Sequence, residues 1–197
     1  MKDKYKFNLL KEYKKCLKYL KDSKNFIFVV IGVFFISCFL GFVIPLPQEF
    51  YDKIMSYLQD ILQQTEGLSL PELISFIFIN NLKSTFFGIF FGIILGIFPL
   101  VSSIANGYVL GFVSFLSVSK AGILSLWRIF PHGILEIPAI FISLGLGLKM
   151  GTFIFQKKKI QTLRSYLLNS LRVFLLIIVP LLFIAAIIEG TLIFLAK

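Results

Sequence analysis

STFFGIFFGIILGIFPLVSSIANGYVLGFVSFLSVS, residues Ser84 to Ser119, runs for 36 residues without a charged side chain. Roughly 20 consecutive apolar residues are what a helix needs to cross a hydrocarbon core about 30 Å thick. Two further runs flank it in the chain: Asn25 to Gln48 lacks charge for 24 residues, and Val173 to Ile188 for 16. Of the 197 residues, 57% are hydrophobic and 15% charged, with 24 phenylalanines. A water-soluble domain of this length needs far more polar surface. The fold class that follows is an all-α integral membrane protein. It has about five transmembrane helices, an amphipathic N-terminal helix and an outer amphipathic helix.

The formal net charge of +10 is unevenly placed. Residues 1–25 carry +6, residues 149–172 carry +6 with no acid, and residues 45–83 carry −3. Lysine and arginine concentrated beside spans mark the cytoplasmic side. This accounts for the basic balance without a nucleic-acid partner; the lipid bilayer is the expected partner, with a generic pull towards anionic headgroups. The domain reading is a basic amphipathic cytoplasmic segment at 1–25 and a single transmembrane helical domain at 26–197. The N-terminus does not read as a cleaved signal, because the apolar run Phe26 to Ile44 is too long and no small-x-small site follows. Within residues 1–25, Leu10, Tyr13, Leu17 and Leu20 recur at helical spacing, which fits either a surface helix or a solvated basic tail.

The first span is expected over Phe26 to Ile44, ended by Pro45 and Pro47. Residues 48–66 place Phe50, Ile54, Tyr57, Leu58 and Ile61 on one stripe, an amphipathic segment on the outer face. Ser69, Pro71 and Glu72 make a capping-box start. The helix begun there is expected to run as far as Ser103, with Asn80-Asn81-Leu82-Lys83 as its entry point into the bilayer or a bend. Asn81, Gly88, Gly92 and Gly96 fall on one of its faces, and small residues in step let another backbone approach closely. Asn106-Gly107 reads as a tight turn at the inner surface. A third span from Gly107 then meets Lys120 after 13 residues, so either Lys120 snorkels or this helix is short. Trp127 and Arg128 suit an interface. The fourth span runs from Pro131 to Lys149 and the fifth from Arg172 to Phe194, which leaves the N-terminus cytoplasmic and the C-terminus outside.

The chemistry-bearing stretch is Pro131-His132-Gly133-Ile134-Leu135-Glu136-Ile137-Pro138-Ala139, which holds the only histidine. His132 and Glu136 stand four residues apart and share a helix face with Ser143 and Gly147. An acid at this depth must face protein or trapped water. Pro138 removes the amide that would bond the carbonyl of Ile134 and weakens the helix beside Glu136. Glu189 of the fifth span stands at a comparable depth, either at the surface or buried. The candidate polar core is thus His132, Glu136, Pro131, Gly133, Pro138, Glu189, Asn106, Gly107 and Asn81. Gly88, Gly92, Gly96, Ser143 and Gly147 are the candidate packing residues. For His132 a proton carrier or ligand competes with an imidazole hydrogen-bonded to Glu136 or a loop carbonyl.

A zinc protease needs two histidines on HExxH, and no GxSxG, Walker or dinucleotide signature occurs. No catalytic residue, metal or cofactor is therefore assigned, although a metal site shared across a symmetric dimer stays open. The string Pro131 to Ala139, the dipeptide Asn106-Gly107 and the pair Asn80-Asn81 before a glycine-patterned helix make the chain resemble the stage II sporulation protein M family of multi-pass membrane proteins. In endospore formers the namesake looks like the membrane anchor of an engulfment complex with cell-wall hydrolases; related chains also occur in species that form no spores. The resemblance implies a scaffold or anchor in the cell membrane, as a homodimer or with other membrane or envelope proteins. The alternative is a small proton- or cation-coupled transporter or channel using Glu136 and His132.

Overall fold

The computed structural model describes residues 8–44, 47–128 and 130–195, and of residues 127, 128 and 130–135 the backbone alone. The described residues are helical apart from short connections, without a strand. In chain order they form α1 (Leu9–Val43), α2 (Gln48–Thr65), α3 (Leu70–Phe90), α4 (Ile97–Ala121), α5 (Phe130–Gly151), α6 (Lys159–Val173) and α7 (Val179–Leu195). Five stretches are long and apolar enough to cross a membrane: Leu9–Val43, Leu70–Ile93, Ile97–Ala121, Glu136–Phe155 and Lys159–Leu195. Phe28 and Phe39, each 65% exposed, show the outward apolar surface that such a bundle turns to lipid.

Local chemistry explains most boundaries. The Asn8 side chain accepts from the amide of Lys11 and caps α1. The capping box forms as expected, with Glu72 Oε2 accepting from the amide and hydroxyl of Ser69. α1 joins the basic N-terminal stretch to the first span without a break. Cys16 and Tyr19 on that stretch are buried in one apolar cluster with residues of α6, α7 and the segment between them. α6 and α7 are likewise one rod of 37 residues, interrupted by a π-helical segment at Phe174–Ile178. The amphipathic segment expected at 48–66 is α2, none of whose residues is buried.

Two expected breaks are corrected. Asn80-Asn81 does not interrupt the helix; both stay inside α3, and the Asn81 carbonyl accepts from the Thr85 hydroxyl at 2.7 Å. Asn106-Gly107 is not a turn either but lies within α4, where the Asn106 amide donates back to the Ser102 carbonyl at 2.7 Å. The chain reverses earlier, at Ile94 to Gly96, after a single 3-10 turn over Phe91–Ile93. Leu95 and Gly96 both adopt positive φ, 56° and 69°. A left-handed pair ends α3, and Pro99 sits in the first turn of α4, where its missing amide costs nothing. Starting α4 at Ile97 also gives it 25 residues, so Lys120 reaches its last turn and the short third span disappears.

Gly96→Ala should therefore lower thermal stability by about 1–2 kcal/mol, the usual cost of a left-handed non-glycine residue. Its added methyl would also stand 2.8 Å from the Leu148 side chain. Thermal unfolding followed by circular dichroism checks this; an unchanged midpoint would show that the reversal does not depend on glycine.

Candidate functional site

Two helix pairs meet at backbone contact and define the interior. In the first, α1 and α4 run parallel in one register: the Ser103 hydroxyl donates to the Val30 carbonyl at 2.9 Å, an offset of 73 residues. The same offset places Gly107 on the Phe34 carbonyl and Gly111 on the Cys38 carbonyl. A methyl built on Gly107 would lie 2.3 Å from that oxygen, and on Gly111 1.9 Å. In the second pair, α3 and α5 also run parallel. Gly92 meets Gly147, Gly96 meets Gly151, and the Ser143 hydroxyl donates to the Thr85 carbonyl. A methyl on Gly92 would lie 2.1 Å from the Gly147 carbonyl oxygen, and one on Gly88 2.9 Å from Leu144. All five predicted packing residues thus lie in one seam within a single chain.

Glu136 sits above that seam on α5. It is 4% exposed, with Ala139 and Ser143 fully buried below it on the same helix. It precedes Ser143 by seven residues, about 10 Å along the axis. On α3 the register in which Gly92 meets Gly147 sets Asn81 level with Glu136, and Asn81 is 9% exposed. Glu189 is half-buried on α7, beside Gly190, whose added methyl would meet Ile74 of α3 at 2.7 Å. Asn81, Glu136 and Glu189 therefore occupy three helices, α3, α5 and α7, that pack on one another. α5 stays helical through Pro138, which is exposed, so the unbonded Ile134 carbonyl does not break it.

The backbones of Pro131, His132 and Gly133 are helical, while their side chains lie outside the described residues. The pairing of His132 with Glu136 lies outside them too. Asn106 is exposed on α4, and Gly107 belongs to the seam with α1. Among the described residues no three His, Cys, Asp or Glu side chains gather where a metal ion could bind.

The sequence reading missed a second polar centre, at the other end of α5. Lys149 is buried, 6% exposed, and its ammonium donates to the Ser23 hydroxyl at 2.9 Å and the Asp22 carbonyl at 3.3 Å. It also lies 4.1 Å from the ring centre of Tyr19 and 5.3 Å from that of Tyr166. The Tyr19 hydroxyl in turn stands 3.3 Å from that of Ser170. A cation between two aromatic faces gains electrostatically where water is scarce. The cage ties α5 and α6, neighbours in sequence, to the stretch of α1 around Tyr19 and Ser23, which lies more than 100 residues before them. Its signal was a lysine ending an otherwise uncharged helix face, which by itself reads as an interfacial charge.

The profile of the family described as "Stage II sporulation protein M" matches residues 27–192, from the first span to the last. No curated protein and no solved structure matches the chain. The family match covers every seam described above, as well as Glu136 and Lys149, and it agrees with the helical, membrane-spanning architecture. This multi-pass membrane protein belongs to the stage II sporulation protein M family.

Proposed function

We propose that the protein is a scaffold or anchor of a complex in the cell membrane. The observation that carries this reading is the contact of glycine with glycine between α3 and α5, and of glycine with carbonyl between α4 and α1. Helices held at backbone contact over several turns favour one arrangement, because sliding or parting them loses close packing that lipid does not replace. Such a bundle suits holding other proteins in place. The small-residue faces of α3 and α5 are consumed by each other, so a homodimer would use another surface. α2 offers one: Phe50, Tyr57 and Leu62 are each more than half exposed. Extraction in mild detergent followed by mass measurement, corrected for bound detergent, tests the reading. A particle of fixed stoichiometry heavier than one 22.4 kDa chain is expected, and a lone chain at all concentrations would sink it.

The basic segments are assigned to the cytoplasm and α2 to the outside, on the charge distribution. A cysteine placed at Asp60 should react with an impermeant reagent in intact cells, and one at Lys158 should not. Labelling of both would overturn this orientation. The burial of Glu136 favours one competing reading, a proton- or cation-coupled transporter, since a buried acid in a span is costly and marks ion paths.

A further inference from the structure

A strip of α6 carries Gln161, Arg164, Ser165, Leu168, Asn169 and Arg172, which line a shallow concavity of about 380 Å³. The other side of the helix, with Leu163, Tyr166 and Leu167, packs into the core. Arg172 is fixed in place: its Nε lies 2.6 Å from Glu12 Oε2, and its terminal nitrogen donates to Asn169 Oδ1 at 2.7 Å. The Asn169 amide is held in turn by the Ser165 carbonyl at 2.8 Å. Arg164, two turns away, is exposed, and the exposed Lys157, Lys158 and Lys159 precede it. Leu168, between the two arginines, is 53% exposed, and Leu175 beyond Arg172 is 63% exposed. The helix therefore passes from basic to apolar within a few turns, at the edge of the uncharged run that begins at Val173.

We propose that this face binds the phosphate of an anionic phospholipid headgroup. Arg164 is the principal ligand, Arg172 is pre-set two turns further along the same strip, and Leu168 and Leu175 lie against the glycerol and acyl region. Guanidinium groups suit the site because their planar forks match phosphate oxygens in pairs. A basic pocket at the end of a span is a recurrent way of holding acidic headgroups. The apolar continuation distinguishes a lipid from a soluble polyanion, which would leave Leu168 and Leu175 uncovered. The inference does not depend on the scaffold reading, since it concerns only α6, Glu12 against it and Leu175 just beyond it.

The test uses the full chain, delipidated in mild detergent and titrated with phosphatidylglycerol or phosphatidylcholine of the same acyl chains, with bound lipid counted by native mass spectrometry. The wild type should prefer phosphatidylglycerol by about tenfold, the effect of one charge-assisted hydrogen-bonding group. Arg164→Gln should lose that preference and Arg164→Glu should reverse it, both with an unchanged thermal midpoint. Lys159→Gln should keep it. Excess inorganic phosphate should leave the lipid bound. Equal binding of the two lipids by the wild type, or full preference in Arg164→Gln, would overturn the site. Complete displacement by inorganic phosphate would overturn the lipid as its ligand.

Discussion

Gly111→Leu and Gly92→Leu are each expected to remove most of the correctly folded protein. A methyl at position 111 would come 1.9 Å from the Cys38 carbonyl oxygen, and one at position 92 would come 2.1 Å from that of Gly147. Both obstacles are backbone, so no rotamer change relieves them; the helices must part. Parting them forfeits the neighbouring contacts at Gly107 in one seam and at Gly88 and Gly96 in the other. Overpacking costs typically 1–3 kcal/mol, so a backbone clash should cost on the order of 3 kcal/mol or more. That is a large share of the roughly 5–15 kcal/mol available to a folded domain. Gly32→Leu is the control, because nothing lies within 4 Å of a methyl built there. Gel filtration in mild detergent should show a monodisperse peak for Gly32→Leu and aggregate for the other two. Equal behaviour of all three would mean that the seams are not what holds the bundle.

Lys149→Ala is expected to destabilise the chain by roughly 2 kcal/mol, combining a lost charged hydrogen bond with a lost cation–aromatic contact and a void. The cost of desolvating the ammonium disappears with it, which keeps the loss from being larger. Lys149→Met should cost less, since it refills the space between Tyr19 and Tyr166 and removes the buried charge. The order alanine below methionine below wild type, in thermal midpoints, checks the cage. A methionine variant as damaged as the alanine one would show that charge rather than filling dominates there.

The span count was legible because hydrocarbon permits few solutions: a charge-free run must be helical and about as long as the bilayer is thick. The positions of reversals were less legible. Asn-Gly marks turns in water, where a loop's backbone groups find solvent, but inside a bilayer the helix keeps its own hydrogen bonds and Gly107 serves contact instead. The actual reversal uses Leu95-Gly96, and leucine carries no turn signal. Ser103, Gly107 and Gly111 form a continuous small-residue stripe on α4, but a turn at Gly107 divides that stripe between two helices and hides the seam with α1. Gly88, Gly92, Gly96, Ser143 and Gly147 were legible because each set lies within one element. The Lys149 cage was not, because Tyr19, Ser23, Tyr166 and Ser170 come from segments more than 100 residues apart, which periodicity cannot connect.

The scaffold reading stands or falls on whether the bundle moves anything across the membrane. The most direct measurement is flux in sealed proteoliposomes, under imposed proton and monovalent-cation gradients, for wild type and Glu136→Gln against protein-free vesicles. The scaffold account predicts that all three dissipate the gradients at the same rate. Faster dissipation by the wild type, abolished in Glu136→Gln, would contradict it and establish Glu136 as part of an ion path.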